Sequence, residues 1–151
     1  MKPYTSTVDI ELPRDQVLAL FDDPDNLVKW QKGLQSFEHM SGEPGQVGAK
    51  SKLIFLNGEQ HIELIETITK RDLPDEFSGL YQWKGGSNTL VNRFTELGPD
   101  RTRWESTCTY SFETWPLKIM GFFFPAMFQK QNQSFLDAFK AFCETGADIR
   151  A

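Results

Sequence analysis

The sequence predicts an α+β domain in which a curved antiparallel sheet packs around a long C-terminal helix. Three observations carry this expectation. From Phe128 on, Phe128, Phe135, Leu136, Phe139, Phe142 and Cys143 recur at three, four and seven residues and fall on one stripe of a helix, while Gln129, Lys130, Gln133, Asp137, Lys140 and Glu144 take the rest of its surface. A helix so apolar on one side requires a partner. Residues 34–113 supply it, because five clusters of turn chemistry, at residues 41–48, 57–59, 73–76, 84–88 and 97–101, delimit six strand-like runs. The third observation is the opening of the chain, where a further strand precedes two short helices, giving seven strands in all.

Residues 5–12 alternate, with Val8, Ile10 and Leu12 on one face and Thr7, Asp9 and Glu11 on the other, as in a half-buried strand. Pro13 ends the strand and suits the first turn of a helix, in which Val17, Leu18, Leu20 and Phe21 keep helical spacing through Asp22. Asp23-Pro24 repeats the start signal for a second short helix over Asn26, Leu27, Val28 and Trp30, with Asp23 as capping acceptor and Trp30 as a core aromatic. Asn57-Gly58 is the clearest two-residue hairpin signal, and its neighbours read as an antiparallel meander.

Alternation then sets the inward faces. Residues 103–113 place Trp104, Ser106, Cys108, Tyr110 and Phe112 toward the helix; Phe77, Gly79, Tyr81 and Trp83 form a similar set, as do Leu90, Asn92 and Phe94. In residues 60–69 the inward set is Ile62, Leu64, Glu66 and Ile68. Pro125 can neither donate to the carbonyl four residues back nor fit its ring beside it, so the C-terminal helix is expected to kink or break there, with Gly121 relieving the crowding. Residues 145–151 read as a frayed tail.

A chain of 151 residues with 39% hydrophobic content reads as one domain over residues 1–151. A net charge of −5, with basic residues spread among acidic ones, argues against a nucleic-acid partner. Cys108 and Cys143 sit singly in apolar patterns and read as buried, reduced thiols. The opening residues lack the apolar core of a signal peptide, and the longest apolar cluster, residues 119–128, is half of the ~20 residues a spanning helix needs. The expectation is a cytoplasmic protein with no transmembrane segment.

His39 and His61 have no metal-ligand spacing around them, and no cofactor or metal is expected. By phasing His61 points outward, while His39 shares a face with Phe37. Glu66 is the titratable group of interest. Lodged among Ile62, Leu64 and Ile68 it would lose hydration and act as a general acid or base, or meet a ligand hydroxyl; at a strand end or bulge it would reach solvent instead. Asn92, Ser106, Cys108, Tyr81 and Tyr110 offer convergent polar groups or are satisfied within the fold. No G-x-S-x-G motif is present. Phe122, Phe123 and Phe124 cannot all face one core, so they pack on the sheet rim, line a cavity mouth, or meet a protein partner or membrane surface.

The opening I-E-L-P-R-D-Q-V-L-A-L-F-D-D-P-D-N-L-V-K-W, the S-G-E-P-G-Q-V-G hairpin, the E-T-I-T-K-R-D-L-P strand end and the long helix after T-R-W-E-S-T resemble the START-like or Bet v 1-like (SRPBCC) superfamily, in particular its polyketide cyclase/dehydrase and lipid-transport branch. The resemblance spans nearly the whole chain and implies a helix-grip fold: a seven-stranded antiparallel sheet gripping the C-terminal helix around an internal cavity. It implies binding or transport of a small hydrophobic molecule, whether lipid, sterol-like or polyketide-like. Phe77, Tyr81 and Trp83, then Phe94, then Trp104, Cys108 and Tyr110 are the expected lining from the sheet. Phe128, Phe135 and Phe139 are the expected lining from the helix. Two alternatives stay open: a cofactor-independent cyclase/dehydrase with Glu66 as acid/base, and a co-chaperone-like module with a protein partner.

Overall fold

A computed structural model describes residues 2–150. Strand β1 (Tyr4–Ile10) is followed by α1 (Arg14–Phe21), a 3-10 turn (Pro24–Asn26) and α2 (Leu27–Trp30). Six strands follow: β2 (Leu34–Ser41), β3 (Lys50–Asn57), β4 (Gln60–Asp72), β5 (Glu76–Trp83), β6 (Gly86–Gly98) and β7 (Arg101–Phe112). The chain ends in α3 (Trp115–Phe123) and α4 (Pro125–Thr145). The seven strands form one antiparallel sheet in the order β1-β7-β6-β5-β4-β3-β2. This is the fold class that the hydrophobic periods and turn signals predict.

Turn chemistry acts where expected, with small displacements. Asp23 caps the 3-10 turn by accepting from the Asp25 amide, and Pro13 stands just before α1 with its carbonyl accepting from Gln16 and Val17. In the β3–β4 hairpin Asn57 pairs with Gln60, so the two turn residues are Gly58 and Glu59, with Gly58 at φ +64. Gly33, which leads into β2, has φ +88, and a Cβ there would stand 2.6 Å from the Leu56 carbonyl oxygen. Glycine alone fits that close approach.

Two expectations for the C-terminal region need correction. Of the kink or break expected at the proline the chain takes the break: α3 stops, Phe124 leaves helical geometry, and Pro125 opens α4 at the first helical position, where its missing N–H costs nothing. Gly121 serves packing instead of relief at the break, since a Cβ on it would lie 2.4 Å from the Phe112 ring. The tail is not frayed through residue 150. Gly146 caps α4 at φ +74 by donating to Phe142, and the Ile149 amide donates to the Lys29 carbonyl. Residue 151 lies outside the described residues.

Side chains lace α4 along the edge strand β1. Tyr4 donates to the Phe128 carbonyl (3.0 Å), Asn132 to Ser6 (3.3 Å) and Gln133 to the Thr7 carbonyl (3.1 Å), while Glu144 accepts from the Glu11 amide (2.8 Å). The lacing covers a strand edge that would otherwise invite another chain. It also fixes the helix over one side of the sheet, so its close backbone approach is to β1 and the middle strands stand farther away.

The core fills only one end of the resulting grip. Val8, Ile10, Val17, Leu18, Trp30, Phe94, Trp104, Leu136, Phe139 and Phe142 form one buried cluster. Trp104 donates to Asn92 (3.0 Å) in its interior, satisfying both polar groups. Trp30 packs edge-on to Trp104 and Phe139, at 5.8 and 5.0 Å between ring centres.

Candidate functional site

At the other end the concave face carries a polar row instead of a sealed core. The antiparallel register sets Glu66 of β4 opposite Tyr81 of β5, Tyr81 opposite Asn88 of β6, and Asn88 opposite Tyr110 of β7. One step along, Leu90 stands opposite Cys108, which in turn pairs with Tyr4 of β1. Directly opposed residues in an antiparallel pair share a face, so the row crosses five strands. Its members other than the more buried Tyr4 and Cys108 keep partial solvent access although they point toward the helix. Side chains both deeply surrounded and partly accessible mark an end of the sheet that α4 does not seal.

Glu66 is in regular register with Ser51 and Tyr81, and the irregularity in β4 comes two residues later, after Ile68. The side chain therefore joins Ile62, Leu64 and Ile68 on the inner face. Tyr81 donates its hydroxyl to the Glu66 carboxylate at 2.8 Å, the one side-chain hydrogen bond that carboxyl receives among the described residues. Gly79 makes the pair possible: the Tyr81 ring folds over it, so that a Cβ at position 79 would sit 3.3 Å from the ring and 3.5 Å from the hydroxyl. Burial pushes the Glu66 carboxyl above the usual carboxylate range, and the Tyr81 hydrogen bond opposes that shift in part. Burial, reinforced by the neighbouring carboxylate, raises the Tyr81 phenol well above its ordinary value. Tyr81 thus stays a neutral donor, while Glu66 holds its proton to higher pH than an exposed carboxyl does.

The far end of the row is aromatic. Tyr110 stacks on Phe112 (5.5 Å), meets Trp83 edge-on (5.9 Å) and tilts against Phe128 (4.9 Å), with Tyr4 at 6.1 Å. Burial pushes the Tyr110 phenol up to about 12 and raises the Cys108 thiol, which accepts a weak hydrogen bond from Asn88 (3.6 Å). A thiol held protonated is no nucleophile.

The ten expected lining residues therefore separate into two groups. Phe94, Trp104 and Phe139 are 2%, 3% and 0% exposed and belong to the sealed core, with Phe77 beside them against Phe21. Tyr81, Trp83, Tyr110 and Phe128 face the open end, Cys108 lies buried beneath it, and Phe135 packs against the sealed core with its ring toward Phe55. Asn92 and Ser106 are buried, Asn92 as the acceptor for Trp104. His39 shares the register of Ser51 but is exposed on the edge strand β2, and His61 is exposed on the outer face. Sequence reasoning missed Tyr4 and Asn88. Tyr4 is in phase with Val8 and Ile10, and Asn88 with Leu90 and Asn92, but the one precedes the alternating run at residues 5–12 and the other falls in the turn chemistry of residues 84–88. Two surface recesses, about 740 Å³ beside α1 and the β4–β5 and β6–β7 turns and about 340 Å³ between α2, β2 and the tail, include no member of the polar row.

Solved structures share this architecture at low identity. The Zhui aromatase/cyclase from Streptomyces sp. R1128 superposes with a TM-score of 0.79 at 11% identity, over 98% of this chain and 99% of that one. The ginseng major latex-like protein 151 from Panax ginseng gives 0.72 at 15% identity (93% and 95% covered). Norcoclaurine synthase from Thalictrum flavum, solved with dopamine and hydroxybenzaldehyde, gives 0.69 at 16% identity (92% and 84% covered). No curated protein sequence matches the chain. A family profile described as polyketide cyclase / dehydrase and lipid transport matches residues 1–144, and with the helix-grip fold this makes the chain a member of that family.

Proposed function

We propose that the protein binds a small, largely hydrophobic molecule in the open half of the grip, with an oxygen function of the ligand meeting the Glu66–Tyr81 pair. The carrying observation is that pair itself: a carboxyl and a phenol hydrogen-bonded at 2.8 Å among apolar side chains, with no cation beside them among the described residues. A pocket with apolar walls and a few placed polar groups suits an apolar ligand bearing one or two oxygens. Trp83, Tyr110 and Phe128 supply the walls and Asn88 a second polar contact. Family membership favours the same ligand class.

Native mass spectrometry of the gently purified protein, with analysis of its solvent extract, tests this reading. A stoichiometric adduct that extracts into organic solvent supports it. An adduct bound equally well by wild type and by the Glu66→Gln and Tyr81→Phe variants contradicts the assigned site.

The raised carboxyl favours a second reading, in which Glu66 moves a proton on a bound carbonyl compound as a cofactor-independent cyclase or dehydrase would. Tyr81 then orients the oxygen. Glu66→Gln separates the two: turnover lost with binding retained marks an enzyme, and weakened binding with no turnover in the wild type marks a carrier.

A further inference from the structure

Helix α3 is apolar on its outer side. Leu117 and Gly121 turn inward, with Leu117 against the Gly85 turn and Gly121 against Phe112. Trp115, Ile119 and Phe122, four and three residues apart on one face, turn out. Phe123, Phe124 and Met127 continue that surface across the break into α4. Trp115, Phe122, Phe123 and Phe124 are 75%, 79%, 66% and 60% exposed. At ~200 Å² per aromatic side chain the four rings alone present on the order of 500 Å² of apolar surface, as much as the largest patch of a typical monomer.

The charge on the helical segment that carries this surface has one sign. Between Trp115 and Leu136 the sequence holds Lys118 and Lys130 and no Asp or Glu, in a chain whose net charge is −5. Lys118 lies between the outward residues Trp115 and Ile119 on the same face. Lys84 stands in the exposed β5–β6 turn that packs on α3, and Lys2 precedes Tyr4, whose hydroxyl binds the Phe128 carbonyl. The nearest acid in the chain before the helix is Glu113.

We propose that this aromatic face of α3 and the start of α4 docks onto an anionic phospholipid surface. Phe122, Phe123 and Phe124 enter the acyl boundary, Trp115 lies at headgroup depth, and Lys118 and Lys130 meet the phosphates. Charge decides the occupant. A protein groove would match the rings equally well, but a second copy of this acidic chain would bring lysines onto lysines, whereas an anionic bilayer complements them. No helix among the described residues is long and apolar enough to cross a membrane, so the contact is one of lying on the surface. This inference does not depend on what the interior holds.

Co-sedimentation of the full chain with phosphatidylcholine vesicles, with and without phosphatidylglycerol, tests it. The expected result is partition onto the mixed vesicles, weaker partition onto neutral ones, and loss of binding as salt rises. Lys118→Ala with Lys130→Ala should weaken partition about thirtyfold, roughly fivefold for each cation. The triple variant Phe122→Ser, Phe123→Ser, Phe124→Ser should abolish partition with an unchanged circular dichroism spectrum and thermal midpoint, because all three rings are solvent-facing. Failure of the wild type to bind mixed vesicles overturns the proposal, as does undiminished binding by the triple variant. Concentration-dependent self-association through the same phenylalanines without vesicle binding assigns the face to a second copy and overturns it too.

Discussion

The two ends of the grip are made from the same sheet and the same helix, yet one is solid and the other open. At the closed end Trp30, Phe94, Trp104 and Phe139 meet one another edge-on and face-on, with centroids 5.0–6.0 Å apart. At the open end Trp83, Tyr110, Phe112 and Phe128 are as aromatic but stay part-exposed, and Glu66, Tyr81 and Asn88 stand where the closed end has carbon. The difference comes from the small helices. α1 and α2 plug one end with Val17, Leu18, Phe21 and Trp30, whereas α3 turns its own apolar face away from the sheet. The same chain thus concentrates its core at one end and leaves the other without a plug.

Removing a ring should cost very different amounts at the two ends. Phe139→Ala removes a fully buried ring and should lower unfolding free energy by about 3–5 kcal/mol, whereas Phe128→Ala should cost no more than about 2 kcal/mol, both read from urea titration. Equal losses would erase the distinction. Asn92→Leu should cost about 1–3 kcal/mol because it leaves the buried Trp104 indole N–H without an acceptor, while Asn88→Leu at the open end should fall below that.

Glu66 sharpens the comparison through pH. Its folded carboxyl lies above its unfolded value, so the folded protein holds the proton longer. Stability from this source is complete below the unfolded value and falls as pH rises through the folded one. Glu66→Gln should therefore unfold at a higher temperature than wild type once pH exceeds the folded carboxyl's range, and converge with it in acid. Calorimetry across that range reads both limits, and parallel curves for the two proteins contradict the assignment. The smallest effect is expected at Gly121→Ala. The added methyl meets the Phe112 ring, and α3 should become easier to cleave by protease at a cost near 1 kcal/mol in global stability.

Most of the fold was legible because its signals are local. Period-two alternation in residues 103–113 and the spacing from Phe128 to Cys143 specify which side is buried before any partner is known. The phase of β4 was equally readable, and with it the inward position of Glu66. What was not legible depends on relations between distant segments. No pattern in the strands foretells that Trp104 and Phe139 seal against Trp30 while Tyr110 and Phe128 do not, because that depends on where α1 and α2 sit. The Glu66–Tyr81 bond depends on the β4–β5 register and on Gly79 giving way to the tyrosine ring. Phe122, Phe123 and Phe124 announced themselves as too many for one core, and their outward direction follows from Gly121 holding α3 against Phe112.

Where a ligand binds decides whether the two ends of the grip differ in this way. Titrating isotope-labelled protein with a fatty acid or with the extracted adduct, and following amide shifts by NMR, reads this directly. Perturbations are expected to concentrate at Glu66, Tyr81, Asn88, Tyr110 and the start of α4, with Val17, Trp30 and Phe94 unmoved. Shifts confined to the outer surface, or spread equally over both ends, would contradict that difference.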